Sequence, residues 1–174
     1  DEQQRIGAAH RFDGSAHLRI DLLHFGACAL RLTLQFVVAQ CQRFIAEPAQ
    51  ASGGVCIPPP IYLPRMRELC TRHGILFIAD EIVTAFGRLG HMFASLDEYG
   101  VVPDMILCAK GLTSGYIPLS AVIYSDAIHE AISAPDPEAW FTHGYTYSGH
   151  PVACAVALKN IEIIETEDLC GNAA

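Results

Sequence analysis

Two oppositely charged residues close two similar apolar runs in this chain. Asp80 follows the run over residues 75–79, and Lys110 follows the run over residues 105–109. An amine and a carboxylate at the ends of buried elements can share one kind of carbonyl chemistry. The amine condenses with an aldehyde as a Schiff base, and the carboxylate holds a proton on a ring nitrogen so that the ring accepts electrons. The same two residues also suit an ordinary ion pair at a sheet edge, since charged strand ends are common. The residues alone leave both readings open.

Both apolar runs read as strands covered on both faces, because aliphatic and β-branched residues follow one another without polar alternation. The segment between them is punctuated by Gly87, Gly90, Gly100 and Pro103. It is long enough for a crossover that makes the two strands parallel. Their C-terminal ends then share one edge, the place where open α/β sheets bind ligands. Asp80 and Lys110 become candidates to face one small molecule, and pyridoxal 5′-phosphate is a cofactor that uses both groups. Residues 44–46 read as a third strand ending on Glu47, with Pro48 blocking further ladder bonds. Residues 61–73 read as an amphipathic helix capped by Gly74. A further strand is expected over 119–124, a helix from Ser125 and Asp126 to about 133, and a last helix over about 152–165.

Four blocks then carry a resemblance: FIAEPAQASGGVCIPPPIYL, CTRHGILFIADEIVTAFGRLG, VVPDMILCAKGLTSGYIPLSAVIYS and FTHGYTYSGHPVACAVAL. In order and spacing they resemble the class III pyridoxal-phosphate-dependent aminotransferases of fold type I, the group of ω-amino acid, 4-aminobutyrate and alanine:glyoxylate aminotransferases. The resemblance implies an α/β fold in which residues 44–174 form part of the cofactor-binding large domain, a mostly parallel sheet flanked by helices. Residues 1–43 stay unassigned. The family's glycine- and serine-rich phosphate turn, and the aromatic that follows it, find no counterpart in this sequence.

By that resemblance Lys110 is the Schiff-base lysine and Asp80 the partner of the pyridine nitrogen. Ile82 packs against the cofactor ring, provided extended geometry persists beyond Asp80; plain core is the other reading. Thr146 reaches the cofactor phosphate of a neighbouring subunit, which implies a homodimer with a shared site; a polar turn ahead of the last helix is the alternative. Glu47 matches a glutamate that gates a substrate carboxylate by pairing with a distant arginine; otherwise it is a solvated acid at a strand end. Val83 stands where some members carry a glutamine, so that contact is not expected. Arg88, His91 and Glu81 are assigned structural or surface roles, and neither His143 nor His150 belongs to a metal-ligand spacing. No metal is expected.

The implied reaction moves an amino group from an ω-amino acid or amine to a keto acid such as pyruvate or glyoxylate. A decarboxylase or racemase on the same platform is an alternative, since fold does not fix reaction, although the TYSGHP and IADE blocks argue against it. A truncated, catalytically inactive piece is another.

Composition narrows the partners. A formal net charge of −8 without a basic cluster argues against nucleic acid. Seven cysteines with no C-x-x-C spacing, mostly inside apolar stretches, read as buried free thiols in a reducing compartment, cytoplasmic or mitochondrial. DEQQR has the wrong charge pattern for a targeting signal, and no apolar core comes closely after it. Residues 22–46 are apolar but interrupted by His24, Arg31, Gln35, Gln40, Gln42 and Arg43, which favours a core helix leading into a strand over a membrane span.

Overall fold

A computed structural model of the chain describes residues 17–18, 36–37, 42–133, 135–136 and 140–174. The reading of residues 22–46 falls mostly outside them. Two compact units are present, Asp1–Gln42 and Arg43–Ala174. In the first, β1 (His17–Leu18) pairs antiparallel with β2 (Phe36–Val37).

The second unit is built on a four-stranded sheet of β3 (Arg43–Ala46), β4 (Leu76–Asp80), β5 (Met105–Cys108) and β6 (Ala121–Tyr124), in that spatial order. The first three strands are parallel and β6 is antiparallel to β5. The α/β reading therefore holds, with a mostly parallel sheet. Its helices are α1 (Tyr62–His73), α2 (Ala94–Asp97), α3 (Asp126–Ile132), α4 (Pro151–Thr166) and α5 (Leu169–Ala173), and a 3-10 turn spans Lys110–Thr113.

α1 is the crossover between β3 and β4. Its Leu63, Met66 and Cys70 recur at helical spacing and are buried against Phe77, Ala79 and Ile106 of the sheet, together with Val101. Full burial of a side chain such as Leu63 or Phe77 contributes about 1.5–3 kcal/mol. Gly74 ends the helix in the left-handed conformation, φ 64°, and the Ile75 amide then bonds to the Cys70 carbonyl at 2.8 Å. Arg72 and His73 in the last turn complement the negative end of the helix dipole.

Coverage of the sheet differs from the two-sided burial read from the sequence. By register Phe44, Ala46, Phe77, Ala79, Ile106 and Cys108 share the face beneath α1. On the opposite face Ile45 and Val122 are 54% and 53% exposed, so the described elements cover the two faces unequally. The apolar runs are continuous because both faces are apolar, although α1 covers only one of them.

Asp104 fastens the N-terminal ends of the strands. Its Oδ2 accepts from the Phe77 amide and from Arg67 Nη1, each at 2.7 Å, and the Arg67 guanidinium lies 5.5 Å from the Phe77 ring centroid. The Ser125 amide donates to the Asp104 carbonyl at 3.1 Å. Ser125 does precede α3, but its side chain makes no capping bond. Among the described residues no helix is long and apolar enough to cross a membrane.

Candidate active site

The parallel register carries three of the candidate residues to one edge. Ala46 pairs with Ala79 and Asp80 with Leu107, so Glu47, Asp80 and Lys110 lie at or just beyond the C-terminal ends of neighbouring parallel strands. Only two lysines occur in the chain, and the other, Lys159, lies on α4 in an exposed ion pair with Glu162 at 2.6 Å.

Asp80 is half-buried and ends β4 as an Asx turn, its Oδ1 accepting from the Ile82 amide at 3.1 Å. Among the described residues no group bonds to Oδ2. Extended geometry does not continue past Asp80, because that turn redirects the chain through 82–89. Ile82 is half-buried there, and the strand alternation behind its expected orientation no longer applies. Glu47 is half-buried, and its Oε2 accepts from the Ala51 amide at 3.3 Å.

Lys110 is exposed and opens the 3-10 turn with φ 42°. A left-handed conformation costs a residue with a side chain about 1–2 kcal/mol, and such outliers gather at functional sites. Several contacts hold it. The Gly115 amide donates to the Lys110 carbonyl at 3.3 Å, and Thr113 Oγ1, buried, donates to the Ile117 carbonyl at 2.6 Å. A Cβ on Gly111 would lie 3.0 Å from Phe86 Cβ and 3.3 Å from the Ala85 carbonyl oxygen. Glycine is needed there for the turn to seat against the segment that follows Asp80.

Glu81, to which the sequence assigned no chemistry, is fully buried and makes the densest set of bonds near the edge. Its carboxylate accepts from the Ser95 amide at 2.6 Å, from the Ala94 amide at 3.3 Å, and from the Thr84 hydroxyl. The residue before α2, Phe93, has no side chain able to cap, so Glu81 supplies the anion that the helix start requires. Its own amide donates to the Leu107 carbonyl at 2.9 Å, the ladder bond that closes the Asp80–Leu107 pair. The sequence offered one weak sign, an acid placed directly after the strand-ending aspartate. Burial pushes the Cys108 thiol above its ordinary value, and the Glu81 carboxylate adds in the same direction. Two residues before Lys110 the chain therefore carries a protonated thiol.

Thr146 lies on the exposed loop over 141–149 ahead of α4. Among the described residues no hydrogen bond joins it to the other three candidates. His150 closes that loop, its Nδ1 accepting from the Ala153 amide at 3.4 Å at the start of α4. A hollow of about 400 Å³ near Ile132, Trp140 and Phe141 is lined by none of the candidate residues.

An amine on an exposed, strained turn beside a half-buried carboxylate on the next strand end fits the two demands of pyridoxal phosphate on a protein. Sequence comparison reaches the same class: the family described as aminotransferase class-III matches residues 31–174. The chain belongs to that family. The match begins upstream of Phe44, where the recognisable motifs start. A probable aminotransferase of Mycobacterium tuberculosis is 48% identical over 88% of this chain and 33% of its own length. The putrescine–pyruvate aminotransferase of Pseudomonas aeruginosa is 52% identical over 72% of this chain and 27% of its own. Among solved structures, an amine transaminase from an uncultivated Pseudomonas species, described in its PLP-bound form, is 56% identical with a TM-score of 0.72, covering 75% of this chain and 29% of that one. The chain thus spans about a third or less of the length of these relatives.

Proposed function

We propose that the protein to which this chain belongs is a pyridoxal-phosphate-dependent aminotransferase, taking the amino group of an amine or ω-amino acid and passing it to a keto acid such as pyruvate or glyoxylate. The activities for which the relatives are named, putrescine–pyruvate and amine transamination, support that substrate class. The observation that carries the reading is the parallel register that brings Asp80 and the strained Lys110 to one edge.

In this reading Lys110 and Asp80 hold the cofactor. Bound there, it supplies an electron sink for the carbon that bears the transferred nitrogen. Lys110 would hold the cofactor through its aldehyde, and as a free amine its Nζ would take the proton from the donor carbon and deliver it to the cofactor carbon that bore the aldehyde. Asp80 keeps the ring nitrogen protonated through a charge-assisted hydrogen bond worth about 1.5–3 kcal/mol. Ile82 contributes an apolar contact to the ring, and Glu47 gates a substrate carboxylate. Thr146 binds the phosphate of a second copy, so the working form is a homodimer. The exposed Phe141, Tyr145 and Tyr147 around it suit such an interface. The thiols Cys56, Cys108, Cys154 and Cys170, none of them in a disulfide, suit a reducing compartment, cytoplasmic or mitochondrial.

The test is borohydride reduction of the full-length protein with pyridoxal phosphate, followed by peptide mapping. Label on Lys110 is expected. Label on another lysine, or none, overturns the assignment.

A further inference from the structure

α4 turns one polar side chain back onto the Lys110 turn. Asn160 Nδ2 donates to the carbonyls of Gly111 at 2.8 Å and Leu112 at 3.1 Å, while Asn160 Oδ1 accepts from Ser114 Oγ at 2.6 Å. The turn so gripped has a left-handed residue with a side chain at each end, Lys110 with φ 42° and Ser114 with φ 49°. Two of the bonds that close it are long. The Ser114 amide reaches the Gly111 carbonyl at 3.2 Å, and the Gly115 amide reaches the Lys110 carbonyl at 3.3 Å. Strained positions of this kind persist where the surroundings over-determine them.

An amide is the group this place requires. It offers two N–H donors for two carbonyls and one oxygen for a hydroxyl, all from a single side chain. A carboxylate in the same position would set a negative oxygen against both carbonyls, and an aliphatic side chain would take from the Leu112 carbonyl and the Ser114 hydroxyl their bonds to this helix and leave the Gly111 carbonyl only the Ser114 amide at 3.2 Å. The neighbouring Lys159 does not share the task, since it is engaged with Glu162.

We propose that Asn160 is a positioning residue for Lys110. It holds the strained turn in one conformation, so that the lysine leaves the end of β5 from a fixed backbone and meets the aldehyde without first ordering the turn. The inference rests on Lys110 being the cofactor lysine. Ordering a loop at the moment of binding weakens affinity, and a loop ordered in advance avoids that loss. Asn160 thus acts on cofactor capture through the turn and touches neither cofactor nor substrate.

The experiment uses the full-length protein as wild type, Asn160→Ala, Asn160→Asp and Ser114→Ala. Four quantities are read: borohydride-fixed label on Lys110, affinity for pyridoxal phosphate from the visible absorbance, the pH midpoint of that absorbance, and thermal unfolding without cofactor. Both Asn160 variants should bind pyridoxal phosphate about tenfold more weakly and show a shifted midpoint. Ser114→Ala, which removes one bond of the three, should move both quantities less and in the same direction. Lowered unfolding temperature with unchanged affinity and midpoint would make Asn160 a plain tie between helix and turn, and the proposal would fall. Should the Asn160 variants fail to fold, unchanged affinity and midpoint in Ser114→Ala overturn it equally. Absence of label on Lys110 in the wild type removes the lysine assignment itself, an outcome distinct from a labelled wild type whose variants behave normally.

Discussion

The two ends of the parallel strands use the same chemical parts to opposite effect. At the N-terminal end the Asp104 carboxylate binds the Phe77 amide and Arg67 at 2.7 Å each, and the left-handed positions nearby are Gly74 and Gly100, where no side chain is strained. At the C-terminal end Asp80 accepts one local amide bond, Lys110 is exposed, and Phe86, Lys110 and Ser114 all adopt positive φ. A charge at a strand end is therefore structural when its partners saturate it. It is available for chemistry when the fold leaves it under-partnered and strains the backbone that carries it. Glu81 shows that both kinds can be sequence neighbours, since it is saturated and buried beside the under-partnered Asp80.

If that distinction is right, the largest effect belongs to Lys110. In the full-length protein Lys110→Ala should abolish cofactor fixation and all transamination without lowering the stability of the cofactor-free form. Lys110→Gly should be just as inactive and more stable by about 1 kcal/mol, because glycine accepts φ 42° freely. Turnover by either variant, followed with an amine donor and pyruvate, would place Lys110 among the structural charges. Asp80→Asn comes next. It should still permit label on Lys110 yet slow the single-turnover half-reaction about 100-fold or more, as an amide cannot offset the charge on a protonated ring nitrogen. Unchanged single-turnover rates would reduce Asp80 to a strand-end charge.

Much of this edge was legible in the sequence, for a physical reason. Apolar runs that stop abruptly on a charge fix a strand and its end together, so Asp80 and Lys110 could be set on one edge from the residues alone. Gly74 and the α1 periodicity were equally readable, because a helix cap and a 3.6-residue repeat are local. What escaped was non-local. Glu81 bonds to amides 13 and 14 residues away, and Asn160 reaches carbonyls 48 and 49 residues away. Neither makes a periodic pattern. Ile82 was judged from strand alternation, and the Asx turn of Asp80 ends that alternation one residue too early. The family match at residues 31–174 adds upstream residues whose motifs are not recognisable by eye.

The saturated carboxylates should show the reverse behaviour, affecting stability before activity. Glu81→Ala would leave two buried amides and a buried hydroxyl unpartnered, a loss of about 3 kcal/mol in urea unfolding. Arg67→Ala should cost less, about 1–2 kcal/mol, because the Phe77 amide keeps its bond to Asp104. In Arg67→Ala turnover per folded molecule should stay at the wild-type level. A rate loss there without a stability loss would show that the N-terminal end communicates with the site, and the contrast between the two ends would fail.

The smallest expected effect probes where along β5 the rigid part stops. Cys108 is the last residue of the strand, buried and two places before Lys110, and burial raises its thiol above the ordinary value of 9.0. The unfolded chain then loses the thiol proton first, so between that value and the folded one the native state binds more protons and stability falls as pH rises. Below the ordinary value the contribution is fully present. Tyr62 and Tyr99 are also raised by burial and act with the same sign from their own ordinary value of 10.0 upward, so the informative window lies below them. Between about pH 8 and about pH 9.5, wild type should lose more stability than Cys108→Ala, by about 1 kcal/mol or less. All other titrating groups cancel in that difference. Equal losses would mean that water reaches Cys108 in the folded state, and that solvent access at the C-terminal end begins within the strand instead of at Ala109.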